Sequence, residues 1–409
     1  MKFDWDIRAV ILTIAAFQAI TVSGLLLFQS IKQNSKTYRL LAFFLLAMTA
    51  VLSEHIAGWL NLYVGQQLTY FPFGESFLFA PLAYLYVKSV TNYQYRFTKK
   101  DLLHFLPAGI YLTVHLFVWF QPLQVKQHFI DLLFRYKWQT AEGYGNAFVF
   151  TFYLYKIIRH FNAYLKWLPD EFSNTEKLKL TWVRNFIILL VFYYIVFIGF
   201  GIASLINWYG YKTQFWLYLM LAVTIYYISA YGYAHINKLK VVFDHNNANP
   251  VQSAVFEMPN PVTMVKVGLL QTEPGKEEDY GLTSAAKDDP NATSLKYAGQ
   301  AIKEAILNHL QNEQVYLNPD LTLHQLSDEI GKPTYIITQV IKNEMGMNFN
   351  DLINSYRVDA VIRKIKQGEH KTYSLLGIAY NCGFNSKATF NRAFKKAKKM
   401  APTVFIGNL

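Results

Sequence analysis

The chain has 409 residues, 16% of them charged and 17% aromatic, with a formal net charge of +12. Soluble domains carry about 25% charged residues, so this composition excludes an ordinary soluble protein, and the basic excess points to nucleic acid or an anionic lipid surface as partner. The single cysteine, Cys382, excludes an intramolecular disulfide framework and a cysteine-rich metal site; it reads as a small buried hydrophobe.

Residues 1–240 hold seven apolar stretches close to the roughly 20 residues that a membrane-spanning helix needs. They are Val10–Phe28, Leu40–Leu60, Phe71–Val90, Leu102–Phe120, Tyr144–Phe161, Phe186–Ile206 and Phe215–Ala234. Lys156 and Arg159 interrupt the fifth, but long basic side chains reach the headgroups from near a helix end. A cleaved leader would leave six spans, yet Asp4 and Asp6 stand where its positive charge belongs.

With seven spans, one set of loops collects Lys32, Lys36 and Arg39, then Lys88, Arg96, Lys99 and Lys100. It continues with Lys156, Arg159, Lys166, Lys177, Lys179 and Arg184, then Lys238 and Lys240. The opposite set holds only Lys2, Arg8, Lys126, Arg135, Lys137 and Lys212. Cytoplasmic loops are the ones enriched in Lys and Arg. The N-terminus is therefore expected outside and everything after Ala234 in the cytoplasm.

Under this topology Glu54 and His55 on the second span, Glu75 on the third and His115 on the fourth fall toward the outer half. Ionisable residues are costly in lipid and mark function there, which makes these four the candidate signal-sensing residues. The plainer alternatives are that they pair with one another, face interfacial water or lock helices together. Their spacing matches no metal-ligand pattern. The chain carries no HExxH, GxSxG, P-loop or CxxC, so catalysis, a metal site and a cofactor are not expected.

Residues 241–296, from "DHNNANP" through "EPGKEEDYG" to "KDDPNATS", are rich in Asn, Pro, Gly and acids and read as a flexible linker. Within it "VTMVKVGLL" is compatible with a short strand. About fifty flexible residues span roughly 40 Å root-mean-square, so the C-terminal region is tethered near the bilayer.

From Tyr297 the apolar residues return at helical spacing. Ala301, Ile302, Ala305, Ile306 and Leu310 make a first amphipathic helix. Thr322 is the expected N-cap of a short helix buried through Leu323, Leu326 and Ile330; Gly331 ends it and Pro333 opens a second helix. Two short helices across a tight glycine turn are a helix-turn-helix pattern.

A longer helix comes next, with an apolar face that includes Phe349, Leu352, Ile353, Tyr356, Val361 and Ile365. The grammar then repeats: "SLLGIAYNCGF" is a helix with Leu376 and Ala379 inward, Gly383 is the turn, and Asn385 is the expected cap of a helix to about Lys398. Phe390 and Phe394 share its buried face; Lys387, Asn391 and Lys395, with Arg392 beside them, offer donors to phosphates and base edges. About twenty residues of connecting helix span roughly 30 Å, close to the ~34 Å between successive major-groove faces.

"LTLHQLSDEIGKPTYIITQVIKNEMGMNFNDLINSYRVDAVIRKI" and "LLGIAYNCGFNSKATFNRAFKKAKKMAPTVF" resemble the DNA-binding domain of AraC/XylS-type transcriptional regulators over about Tyr297 to Ile406. The resemblance implies two helix-turn-helix units in successive major grooves of double-stranded DNA. By position the first reading helix would present Thr334, Tyr335, Thr338 and Gln339, and the second Lys387, Ala388, Asn391 and Arg392. Ala388 replaces a longer polar side chain common in relatives and is limited to contact with a thymine methyl. Lys399 and Met400 stand where a glycine is common. Seven spans replace the usual soluble ligand-binding domain, as in the membrane-bound members.

The expected architecture is thus all-α: a seven-helix transmembrane bundle (1–240) in the inner membrane of a bacterium, a cytoplasmic linker (241–296) and a double helix-turn-helix domain (297–409). The expected function is signal-dependent transcription regulation, controlled by dimerisation with a second copy or by proteolytic release. Rival readings are a multispan transporter or membrane enzyme with an appended module, and a non-specific membrane-to-DNA tether.

Overall fold

A computed structural model describes residues 6–60, 76–92, 94–135, 138–205, 211–235, 243 and 290–408. Among them the chain is all-α, with no strand; an isolated bridge joins Phe172 and Thr322. Its contacts divide it into two units: Met1–Lys166 with Leu178–Asn246, and Trp167–Lys177 with Asn247–Leu409.

The first unit contains α1 (Ile7–Lys32), α2 (Lys36–Trp59), α3 (Ser76–Thr91), α4 (Lys99–Leu102), α5 (Leu106–Trp119) and α6 (Leu123–Arg135). It continues with most of α7 (Trp138–Glu171), then α8 (Thr181–Leu205) and α9 (Tyr211–His235). Among the described residues five helices have the length and apolarity to cross a membrane: Ile7–Lys32, Lys36–Trp59, Lys99–Trp119, Thr181–Ala203 and Lys212–Gly232. They match the first, second, fourth, sixth and seventh expected spans. The third span is represented by the 16-residue α3, because Phe71–Glu75 lie outside the described residues. The fifth falls inside the 34-residue α7, which Lys156, Arg159 and Lys166 make too polar to qualify.

On α1 packing places mostly small residues inside and large apolar ones outside. The buried row is Ala9, Leu12, Ala15, Ala16, Ala19 and Ser23, and Ser23 Oγ donates to the Ala42 carbonyl of α2 at 3.2 Å. The outward row includes Ile14, Phe17, Ile20, Phe28 and Ile31, all more than half exposed. Small residues let helices approach closely, and such a surface is stable where the surroundings are themselves apolar. Farther in, Phe44 of α2 meets Phe79 of α3 at 5.1 Å and Phe186 of α8 at 5.6 Å.

The second unit contains α10 (Pro290–Gln311), α11 (Leu323–Ile330), α12 (Thr334–Met345), α13 (Phe349–Lys366), α14 (Leu375–Asn381), α15 (Lys387–Lys398) and α16 (Pro402–Gly407). Helix α10 begins within the stretch expected as linker, seven residues before Tyr297. The expected short strand lies outside the described residues. Ile306, Leu326, Ile337, Ile353, Val361 and Phe394 are among the fully buried side chains of one core.

Local chemistry sets the helix ends. Thr322 caps α11 in a capping box with Gln325, and Gly331 closes it at φ +69°. Pro333 is the N-cap of α12, and the helix starts at Thr334. Ser386, and not Asn385, caps α15: its side chain accepts from the Thr389 N–H at 3.1 Å. Lys399 then ends α15 in the left-handed region at φ +58°, so a lysine takes the conformation usually left to glycine. Gly383 is held at φ +90°, and a Cβ there would lie 2.4 Å from the Tyr316 carbonyl oxygen. The turn of the second helix pair therefore closes directly on the backbone beside the first.

Candidate nucleic-acid interface

Two helix pairs, α11 with α12 and α14 with α15, flank α13, whose 18 residues span about 27 Å at 1.5 Å each. Asn348 caps α13 by accepting from the Asp351 N–H at 2.8 Å. Phe349, Leu352, Ile353, Val361 and Ile365 are buried as the apolar spacing requires, which fixes α13 as the spacer between the pairs.

On α15, Lys387, Ala388, Asn391, Arg392 and Lys395 are all exposed, while Phe390 and Phe394 are buried opposite. Lys387, Asn391 and Lys395 line one wall of a cleft of about 390 Å³ whose other sides come from α14 and the start of α16. The helix carries five basic residues and no acid. On α12 the placement is uneven. Tyr335 and Gln339 are exposed, and Thr338 is half-buried with its hydroxyl donating to the Thr334 carbonyl at 2.9 Å. Thr334 itself is 8% exposed, so only the edge of its side chain reaches the surface. This helix adds Lys342, one turn beyond Thr338, which sequence reasoning passed over.

Two of the basic groups have acidic partners from Trp167–Lys177 of the same unit. Lys342 Nζ lies 2.6 Å from Asp170 Oδ2, and Arg392 pairs with Glu176. Between these acids Asn350 Nδ2 donates to the carbonyls of Phe172 and Ser173 at 3.1 and 2.8 Å. Ser173 donates its N–H to the Leu321 carbonyl at 3.2 Å. Arg357 of α13, 1% exposed, donates to the Tyr316 and Asn318 carbonyls at 2.8 and 2.7 Å and to Ser173 Oγ at 3.1 Å. Burial lowers the Arg357 guanidinium to about 10 from the usual 12.5, against the opposing pull of Asp320, and leaves it charged at neutral pH. A buried charge needs this full set of acceptors.

The sensing candidates of the first unit separate into two groups. His55 is buried; Trp59 Nε1 donates to its Nε2 at 2.9 Å, and its ring stacks on Tyr218 at 4.0 Å. That is the setting of a histidine that locks helices. His115 stacks on Tyr111 at 3.8 Å, and both it and Glu54 interact electrostatically with Glu142 of α7, which also accepts a hydrogen bond from Tyr111. Glu142 was missed because it precedes the expected start of the fifth span. Glu75 lies outside the described residues.

Residues 326–408 match a family model described as a helix-turn-helix domain. No curated protein and no solved structure matches the chain. The matched segment takes in most of α11 and all of α12 to α16, and it supports an AraC-type DNA-binding transcription regulator.

Proposed function

We propose that this chain is a membrane-embedded transcription regulator that reads double-stranded DNA in a sequence-specific way through α12 and α15. The observation that carries the reading is the pair of helices with exposed polar faces, each entered from a positive-φ glycine turn and joined through the buried 18-residue spacer α13. Gln339 and Arg392 are the specifying residues, since Gln pairs with adenine and Arg with guanine by two hydrogen bonds, each about 1–3 kcal/mol of discrimination. Tyr335, Thr338, Lys387, Asn391 and Lys395 position the helices on phosphate and sugar, with Ala388 against a thymine methyl and Thr334 at the margin.

The outward apolar rows and the loop charge bias support a bilayer location with the DNA-reading unit in the cytoplasm. Signal sensing falls to the bundle. Glu54, His115 and Glu142 are its best-supported site because three ionisable groups from three helices interact there. A second copy of the chain is the natural partner on a two-part DNA site.

The test is selection from a random-sequence duplex pool by the full chain in lipid nanodiscs at two salt concentrations. Enrichment of a motif with two half-elements about one helical turn apart supports the reading, and Arg392→Ala should then relax one base position. Equal binding to all duplexes, lost uniformly as salt rises, would replace specific regulation with phosphate gripping alone.

A further inference from the structure

The segment Trp167–Lys177 joins α7 to α8 in the chain, yet it packs as part of the C-terminal unit. We propose that this segment is an intramolecular competitor of DNA: an acidic strap that docks across the helix-turn-helix unit, takes a basic side chain from each reading helix, and must leave before a duplex can bind. The inference rests on the DNA-binding role proposed above and adds its regulation.

The strap is anchored at its centre and charged on its flanks. Phe172 is 3% exposed and Ser173 fully buried. They are pinned by the bridge to Thr322, by the Leu321 carbonyl, by Asn350 and by Arg357. Asp170 lies before this anchor and reaches Lys342 of α12; Glu176 lies after it and reaches Arg392 of α15. An anchored acid on each side matches one cation on each reading helix, which is what a stand-in for phosphate requires. The cations remain about half exposed, at 48% for Lys342 and 57% for Arg392, so each pair is weak and DNA can displace it.

The anchor also explains a charge that α13 would otherwise bury at a loss. When the strap leaves, Arg357 gives up both Ser173 Oγ and the Ser173 carbonyl but keeps the Tyr316 and Asn318 carbonyls. Release is therefore opposed without being forbidden. The strap is continuous with α7 and α8, so motion in either helix has a covalent route to the DNA-reading surface that does not pass through residues 241–289.

The experiment uses the full chain in lipid nanodiscs and a fluorescein-labelled random-sequence duplex pool, with two readouts. One is affinity by anisotropy; the other is amide hydrogen exchange of residues 167–177. Removing any two acids raises affinity for DNA by charge alone, so Asp170→Asn with Glu176→Gln is compared with Glu313→Gln with Glu329→Gln, two exposed acids of the same unit outside the strap. The strap double variant should bind about three- to tenfold more tightly than that control. Asn350→Ala, which changes no charge, should also tighten binding and speed exchange of the strap. In the unaltered chain, exchange at 167–177 should rise when duplex is added. Equal affinities for the two double variants, or strap protection unchanged by duplex, would overturn the proposal. If no variant binds duplex at any salt, the DNA-binding reading itself has failed and the competition falls with it, even where exchange still reports a docked strap.

Discussion

At the scale of single residues, backbone sign decides more than side-chain type. Gly383 combines a positive φ with a carbonyl oxygen 2.4 Å from where its Cβ would sit. Gly383→Ala must move the turn of the second helix pair off Tyr316, and is expected to destabilise the C-terminal unit by more than about 2 kcal/mol. Lys399 is the reverse case, a side chain held in the left-handed region with only a helix terminus to gain from it. Lys399→Gly should stabilise the same unit by about 0.5–1 kcal/mol. Amide hydrogen exchange of residues 297–408 at increasing urea, compared between the two variants and the unaltered chain, checks both signs at once. The glycine was legible because turn residues report locally. The lysine was legible only in part: the resemblance puts Lys399 and Met400 where a glycine is common, but does not say which of the two takes the left-handed conformation.

At the scale of elements, α16 went unexpected, but α11 to α15 could be placed from caps, turns and apolar spacing, all of which act over a few residues. The strap could not. Its hydrogen bonds join residues 178 and 184 apart in sequence, and Arg357 looks like any solvated arginine until its acceptors are known. Glu171, where α7 ends within the strap, gives this element a dependence on pH. Burial, with Asp170 beside it, raises its carboxyl from 4.5 to about 7; His324, Lys342 and a hydrogen bond from Trp167 pull the other way. The docked form holds the proton more tightly than the released form, so acid favours docking. As pH rises from about 4.5 to about 7 the released strap ionises first, and docking weakens; above about 7 this group adds no further change. Exchange of residues 167–177, corrected for intrinsic rate, should therefore show less protection at pH 7.5 than at pH 5. Glu171→Gln should flatten that difference. A difference that survives the substitution intact would refute the assignment to Glu171.

At the scale of the whole molecule, the number of crossings is the issue, because among the described residues five helices qualify by length and apolarity where seven spans were expected. The two that fall short, α3 and α7, are an alternating pair. If neither crosses, the strap remains on the same side, but the loop after α5 changes sides. Charge barely separates the two arrangements. Five crossings would put Lys88, Arg96, Lys99 and Lys100 outside but bring Lys126, Arg135 and Lys137 into the cytoplasm, so the Lys and Arg excess stays on the inner side either way. Cysteine labelling of intact cells reads this directly, because Cys382 is fully buried and its thiol is pushed up to about 11 by burial, so it stays inert. Gln121→Cys, just beyond α5, should react with an impermeant maleimide in intact cells if seven helices cross. Gln33→Cys, after α1, should react only once the membrane is opened. Protection of Gln121→Cys in intact cells would mean five crossings, and α3 and α7 would then lie along the membrane or outside it.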